Sequence, residues 1–500
     1  MNTTVAFLAQ TLAIFMGFFT RVVFTRTLSE GYVGINGLFT DILNILSLSE
    51  LGVGTAITYA LYAPIARRDI KKQQILMRMF RNFYRITAGF VLLAGLCLIP
   101  FLDILMKDRP DVNHLIIIYL LYLLNSVVSY LLIYKKTLVD AHQMNYITVM
   151  YHNGFLVLQD ILQIMVLFLT RNFILFLVIA VVCTIIGNIC MSRKADRLFP
   201  YLKEPCKEQL PQEERHDILR NVKAMLMHKI GNVVVNNTDN LLISSFVGII
   251  SAGIYSNYYL IIASVHSIMT RMFQGLTASV GNLGVTQGKE RIRKVFASSF
   301  FVGQWMYGFA AICLYELINL FVEFSFGAEY VFPENVVFVL CLNFFILGMR
   351  QAALVFRDSL GLFWFDRYKS IANALLNIVF SIVLAKECGA FGVFLGTLFS
   401  TLLTSFWVEP LVLYRHSLKV PVVHYFAKYA LYTGIVLAAG VLTHVLCRQM
   451  EGSMAAVFVK RMCVCVAVPN VIFLVCYVRT KEFRFLWEKI MSVVKKRRKM

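Results

Sequence analysis

The sequence predicts an all-α, polytopic membrane protein, on three observations. The 500 residues are 59% hydrophobic and only 15% charged, and mean hydropathy is +0.70. That is more apolar surface than a soluble domain of this length buries, so a bilayer has to cover it. Apolar runs of about 20 residues, the length that crosses a bilayer as a helix, recur along nearly the whole chain. The Lys and Arg collect in every second gap between those runs.

Fourteen runs are candidate spans: 3–20, 33–60, 86–105, 114–134, 147–169, 173–191, 222–246, 252–280, 296–322, 335–356, 370–385, 390–413, 429–447 and 456–478. The second holds Gly34, Gly37, Gly52 and Gly54, which favour a break or a tilt. Thirty-five Lys and Arg fall in the even-numbered gaps and the C-terminal tail, from Arg67 and Arg68 to the closing KKRRK. Seven fall in the odd gaps: Arg21, Arg26, Lys107, Arg109, Arg171, Lys386 and Arg448. The positive-inside rule puts the even gaps, and both termini, in the cytoplasm. Lys460 and Arg461 break the pattern, and the expectation is that the last span starts after them.

The net charge of +20 therefore needs no nucleic acid; anionic lipid headgroups account for it. The 11 Cys lie mostly inside apolar runs, where a thiol acts as a small apolar group. Cys463 and Cys465 have the wrong spacing for a CxxC pair, so neither a disulfide framework nor a metal site is expected. The first run lacks the charged n-region of a cleavable signal and reads as the first span.

The longest polar segment, with Pro200, Pro205 and Pro211, separates six spans from eight. The expected organisation is an N-terminal lobe at 1–192, a cytoplasmic linker at 193–221, a C-terminal lobe at 222–414, two further helices at 415–478 and a basic cytoplasmic tail at 479–500. The lobes repeat weakly: YVGIN at 32–36 and AGIYSNY at 252–258 each lead a long span into a basic gap. Six-plus-six repeats are a transporter architecture, with a substrate site where the repeats meet.

Three segments resemble the bacterial polysaccharide transporter family: SLSELGVGTAITYALYAPIARRD at 47–69, TDNLLISSFVGIISAGIYSNYYLI at 238–261, and the long stretch from GLFWFDRYKSIANALL to WVEPLVLYR at 361–415. The family belongs to the multidrug/oligosaccharidyl-lipid/polysaccharide exporter superfamily. The resemblance implies fourteen helices in two six-helix lobes around a central cavity, MATE-like, with two added C-terminal helices. It implies a Wzx-like flippase in the bacterial inner membrane. Its cargo would be polyprenyl-diphosphate-linked oligosaccharide for capsule, exopolysaccharide or O-antigen, with polymerase and assembly proteins as partners. Members usually carry a short basic leader, whereas here the apolar run begins almost at Met1.

Ionisable groups within spans cost about 2.5–3.5 kcal/mol on insertion scales, so they mark cavities or partners. Arg271, with Ser264, Ser267, Thr270, Gln274 and Thr277 at helical spacing, makes a polar stripe suited to a diphosphate, whose oxygens match the guanidinium fork. Arg350 either faces the same cargo or snorkels to the cytoplasmic face. Arg21 and Arg26 either face the cavity or anchor the outer end of the first span. Asp41 and Glu50, nine residues apart, point to opposite faces of a straight helix at about 100° per residue. Glu50 reads as a salt-bridge partner or as a protonatable coupling carboxylate. Asp239, in NNTDN, either binds a coupling H+ or Na+ or hydrates a helix entry. Asp160 with Gln159 and Gln163 is one more polar spot, and YSNYY at 255–259 offers rings for sugar stacking.

Catalytic spacing is missing: there is no HExxH and no P-loop lysine, and His142 and His152 have no spaced partners. The chain is expected not to be an enzyme and to need no cofactor. The alternatives are a cation-coupled small-molecule antiporter of the same superfamily and, behind it, a membrane polymerase or ligase. The second would need a larger outer loop than any gap here provides.

Overall fold

Two of the apolar runs become helices where a polar side chain opens them. Asp69 accepts the backbone N–H of Lys72 at 2.9 Å and starts the helix Ile70–Leu98. Asn172 accepts from Ile174 at 2.9 Å and Leu175 at 3.2 Å and starts Phe173–Leu198. Such caps satisfy amides that no helical carbonyl reaches. The computed structural model describes residues 2–46, 61, 64–65, 67–106, 112–142, 144–204, 210–212, 238–286, 289–360, 362, 365–366 and 368–497.

Among these residues the longer elements are all helical. They are α1 (Asn2–Thr27), α2 (Glu30–Leu46), α3 (Ile70–Leu98), α4 (Leu115–Leu131), α5 (Ile133–Ala141), α6 (Asn145–Thr170), α7 (Phe173–Leu198) and α8 (Ile249–Thr286). They continue as α9 (Lys289–Phe326), α10 (Glu334–Met349), α11 (Gln351–Ser359), α12 (Lys369–Leu403), α13 (Ser405–Leu413), α14 (Val423–Arg448), α15 (Met454–Tyr477) and α16 (Lys481–Arg497). Eight described helices are long and apolar enough to cross a bilayer, nine if the pair α4–α5, bent by 43°, is one span. The candidate spans 33–60 and 222–246 run into residues outside the described set. Large apolar side chains point outward along the bundle, including Leu169 (80% exposed), Ile86 (72%) and Val475 (71%). Only a lipid environment makes that surface favourable, so the chain is a multi-pass membrane protein.

The helices differ from the apolar runs in several places. Lys135 and Lys136 do not sit in a loop but on α5, where Lys135 pairs with Asp196 of α7 at 2.7 Å. Lys460 and Arg461 lie inside α15, which starts before them; Lys460 Nζ reaches back to the carbonyl of Glu451 at 3.0 Å. The spans expected at 370–385 and 390–413 join through a kink in α12 at Gly389 (φ 59°, ψ −138°), a conformation that disfavours a side chain.

The chain divides into two compact units, Met1–Ser256 and Asn257–Met500. In the first, α1 packs on α6, α6 on α7, and α4 on both α3 and α7. There α2 crosses the start of α8 almost backbone to backbone. A Cβ on Gly253 would come within 2.8 Å of the Gly34 nitrogen, and one on Gly34 within 2.3 Å of the Ile249 oxygen. These glycines belong to the two motifs read as a repeat, YVGIN and AGIYSNY. In the second unit α9 is the hub and packs against α10, α11, α14, α15 and α16. An aromatic cluster of Phe300, Phe301, Trp305, Tyr432, Phe473 and Tyr477 fastens α14 and α15 to it, with centroids 5.2–6.2 Å apart.

Candidate functional site

Polar residues buried in a lipid-facing bundle must meet each other or line a space. In the first unit they do both. Thr20 and Arg21 of α1, Asn36 of α2, Tyr122 and Asn125 of α4, and Gln159, Asp160 and Gln163 of α6 surround a cavity of about 280 Å³, walled further by Phe24 and Phe176. Arg21 donates to Asn36 Oδ1 at 3.0 Å, and Asn36 Nδ2 donates to the Tyr122 hydroxyl at 2.6 Å. Thr20 Oγ1 donates to Asp160 Oδ1 at 3.1 Å. Gln163 is pinned by its amide on the Phe176 carbonyl at 2.9 Å. The Arg21 guanidinium also lies 5.5 Å from the centre of the Phe24 ring. One cation, one carboxylate and several amides thus line a pocket with aromatic walls. Arg21 and the amides can hydrogen-bond hydroxyl-rich or anionic groups, while the Asp160 carboxylate accepts from hydroxyls and disfavours an anion placed beside it.

Asp160, Gln159 and Gln163 were readable as a polar spot; that they share a cavity with Arg21 was not. Arg26, in the last turn of α1, is exposed, where a cation also complements the helix end.

A second polar centre joins Asp41 to Asn240, the chain neighbour of Asp239. Asn240, beside Asp239 in NNTDN, donates to Asp41 Oδ2 at 2.7 Å and approaches Ser256 Oγ at 3.0 Å. Asp239 is itself buried, at 7% exposure. The π-helical turn Ile243–Val247 follows, and Ser244 Oγ donates to the Leu105 carbonyl at 2.9 Å. Glu50 lies outside the described residues. Arg271 and Gln274 lie on α8, whose backbone is helical there, but their side chains lie outside the described set. The same stripe continues at Thr270, which meets His266 at 3.2 Å and Tyr307 of α9 at 3.4 Å.

The second unit holds Arg350 in an ion network. Arg350 sits between α10 and α11 and grips Glu409 of α13 with two parallel bonds, Nε to Oε2 at 2.9 Å and an outer nitrogen to Oε1 at 2.7 Å. Lys369 also binds Glu409 and lies 3.3 Å from Asp366. Arg357 binds Asp366, and reaches Asp358 at 2.7 Å. Glu409 has no exposed surface. Sequence reading passed over Glu409; its signal was a lone acid in the apolar run FWVEPLVL. Of the YSNYY rings, Tyr258 is fully buried and bonded to Asn319 at 2.5 Å and to the Phe332 amide at 2.9 Å, Tyr255 is buried, and Tyr259 is half exposed. Among the described residues no cluster of His, Cys, Asp and Glu is arranged to hold a metal, and the described cysteines are free thiols.

Comparison with known proteins places this geometry in context. The structure is similar to the lipid II flippase MurJ in an inward closed conformation, with a TM-score of 0.68 at 14% identity, covering 95% of this chain and 99% of that one. It is similar to an inward-facing multidrug resistance MATE transporter, with a TM-score of 0.67 at 14% identity over 82% of this chain and 98% of that one. A point mutant of the Vibrio cholerae MATE transporter VcmN matches with a TM-score of 0.55 at 13% identity, over 84% of this chain and 99% of that one. Identities this low establish the fold alone, that of the MurJ and MATE transporters. No curated protein matches the chain by sequence. A family model does, over residues 1–277, more than half of its length: the chain belongs to the polysaccharide biosynthesis protein family.

Proposed function

We propose that the protein is a flippase. It moves polyprenyl-diphosphate-linked oligosaccharide repeat units across the bacterial cytoplasmic membrane for capsule, exopolysaccharide or O-antigen synthesis. The observation that carries this reading is the family match over residues 1–277. Likeness over nearly the whole chain to a protein named for flipping lipid II supports it. The charge pattern puts both termini in the cytoplasm. The headgroup enters from the cytoplasmic side while the polyprenyl tail stays in lipid, and the two repeats rock to present it outside.

In this reading Arg21, Arg26 and Arg271 attract the diphosphate, and Gln274 with the amides around Arg21 receives sugar hydroxyls. Arg350, with two nitrogens on Glu409, holds its helices together instead. Asp239, Asp41 and Glu50 are the carboxylates open to a coupling H+ or Na+. Polymerase and assembly proteins outside take up the product.

A second reading, a multidrug antiporter, draws support from the MATE likeness. One experiment separates the two. The gene is deleted in its host, and lipid-linked oligosaccharides and surface polysaccharide are measured. Complete repeat units should accumulate and surface polymer should fall. The wild-type gene should restore both, and Arg21→Ala and Arg271→Ala should not. An unchanged lipid-linked pool with raised sensitivity to cationic drugs overturns the flippase in favour of the antiporter.

A further inference from the structure

The C-terminal end of the second unit builds a groove separate from the polar centres described above. It has a volume of about 390 Å³ and lies between the end of α15 and the start of α16, lined by Leu474, Val478, Phe483, Arg484, Trp487 and Glu488. Its walls are apolar and open: Leu474 is 48% exposed, Val478 45% and Trp487 55%. Such a surface is unfavourable in water and has to be covered.

The sequence of α16 explains the groove. Phe483, Leu486, Trp487, Ile490, Met491 and Val494 recur at helical spacing and make one apolar stripe, while Lys481, Arg484, Lys495 and Lys496 fall off it. Among the described side chains, those at the start of the helix are used inside the protein. Phe483 stacks on Trp305 of α9, with centroids 6.2 Å apart and planes 22° from parallel. Glu482 pairs with Lys428 of α14, and the Arg291 guanidinium lies 5.8 Å from the centre of the Phe485 ring. Trp487 stacks on Phe483 at 6.2 Å but keeps its outer surface open, as does Met491 at 40% exposure. The start of the helix is therefore fastened to the bundle, and the exposed faces of Trp487 and Met491 add to the lipid-facing surface of Leu474 and Val475 on α15.

We infer that this groove is a binding site for an anionic phospholipid. An acyl chain lies against Leu474, Val478 and Trp487, and the phosphate is held at the rim by Arg484. Charge selects the occupant. Residues 479–499 carry nine Lys and Arg against two acids; Glu482 is neutralised by Lys428, which leaves Glu488 as the carboxylate in the groove. An amphipathic helix with aromatic and aliphatic residues on one side and cations on the other lies in the interface plane and favours anionic headgroups. The site stands whether the cargo is a lipid-linked sugar or a small molecule.

The test uses the full-length protein in nanodiscs of phosphatidylcholine. Brominated phosphatidylglycerol or brominated phosphatidylcholine is added at equal mole fraction. The Trp487 signal is the difference between wild type and Trp487→Phe, and its quenching by bromine reports lipid in the groove. Brominated phosphatidylglycerol should be preferred by about fivefold, the factor that one cation carries at an anionic surface. Arg484→Ala should abolish the preference, and Arg484→Lys should keep most of it. Equal quenching by both lipids, or a preference that survives Arg484→Ala, overturns the proposal. So does displacement of the brominated phosphatidylglycerol by a trace of undecaprenyl phosphate, which would assign the groove to polyprenyl cargo.

Discussion

Removing the charge of Glu409 tests the ion network of the second unit. The carboxylate has no exposed surface and is held by both Arg350 and Lys369. Glu409→Gln keeps the volume but leaves two cations facing a neutral amide. Lys369 retains Asp366 at 3.3 Å, so the uncompensated charge is mainly that of Arg350. Removing one partner of a buried pair costs about 3–5 kcal/mol, and with Lys369 still paired the low end applies, about 3 kcal/mol. For a unit of this size each kcal/mol moves the melting temperature by roughly 2–4 °C, so a fall of about 6–12 °C is expected. The assay is thermal unfolding of detergent-solubilised protein, followed by the loss of its monodisperse elution peak. Adding Arg350→Met to Glu409→Gln removes the orphaned cation and should restore part of the loss, a coupling of about 1–3 kcal/mol. A fall below about 2 °C, less than 1 kcal/mol, refutes the reasoning. A double variant no better than Glu409→Gln alone refutes it equally.

Four other perturbations have defined outcomes. Gly253→Val drives a side chain into the Gly34 backbone, where even a Cβ comes within 2.8 Å, and should cost about 1–3 kcal/mol. Gly154→Ala, with nothing within 4 Å of the added Cβ, should gain about 0.5–1 kcal/mol in the same melting assay. Gly389→Ala places a side chain at φ 59° and should destabilise by about 1–2 kcal/mol, read as a lower melting temperature; no change would mean that the kink relaxes. In the first unit, Arg21→Ala should abolish complementation of the deletion strain, and Arg21→Lys should restore it only in part, because a point charge lacks the planar fork that reaches Asn36. Full complementation by Arg21→Ala would remove this cavity from the transport path.

What the sequence reveals and what it hides divides by the range of the interaction. Helix positions and the membrane class follow from apolar runs and the alternation of charge, which are local and survive any packing; the MATE-like arrangement is implied by the family resemblance. The candidate site is only half legible. Gln159, Asp160 and Gln163 stand out as polar groups in an apolar run, but their meeting with Arg21 needs α1 to pack on α6, which brings together Thr20 and Asp160 across 140 residues. Lys135 is hidden for the same reason: its counter-charge, Asp196, is 61 residues away, so no local pattern shows that a cation in a gap between apolar runs is a paired helix charge. Arg350 is the sharpest instance. Cavity and snorkel were the two readings open to it, and both assume that no acid lies within reach. Glu409, 59 residues on, supplies one. The physics nevertheless left a usable sign. A cation buried in an apolar span demands a counter-charge, and five of the fourteen apolar runs hold a lone acid: Asp103, Asp160, Asp239, Glu316 and Glu409. Matching membrane cations to these acids would have put Glu409 on a short list of partners for Arg350; choosing it among them takes the packing of α13 against the junction of α10 and α11.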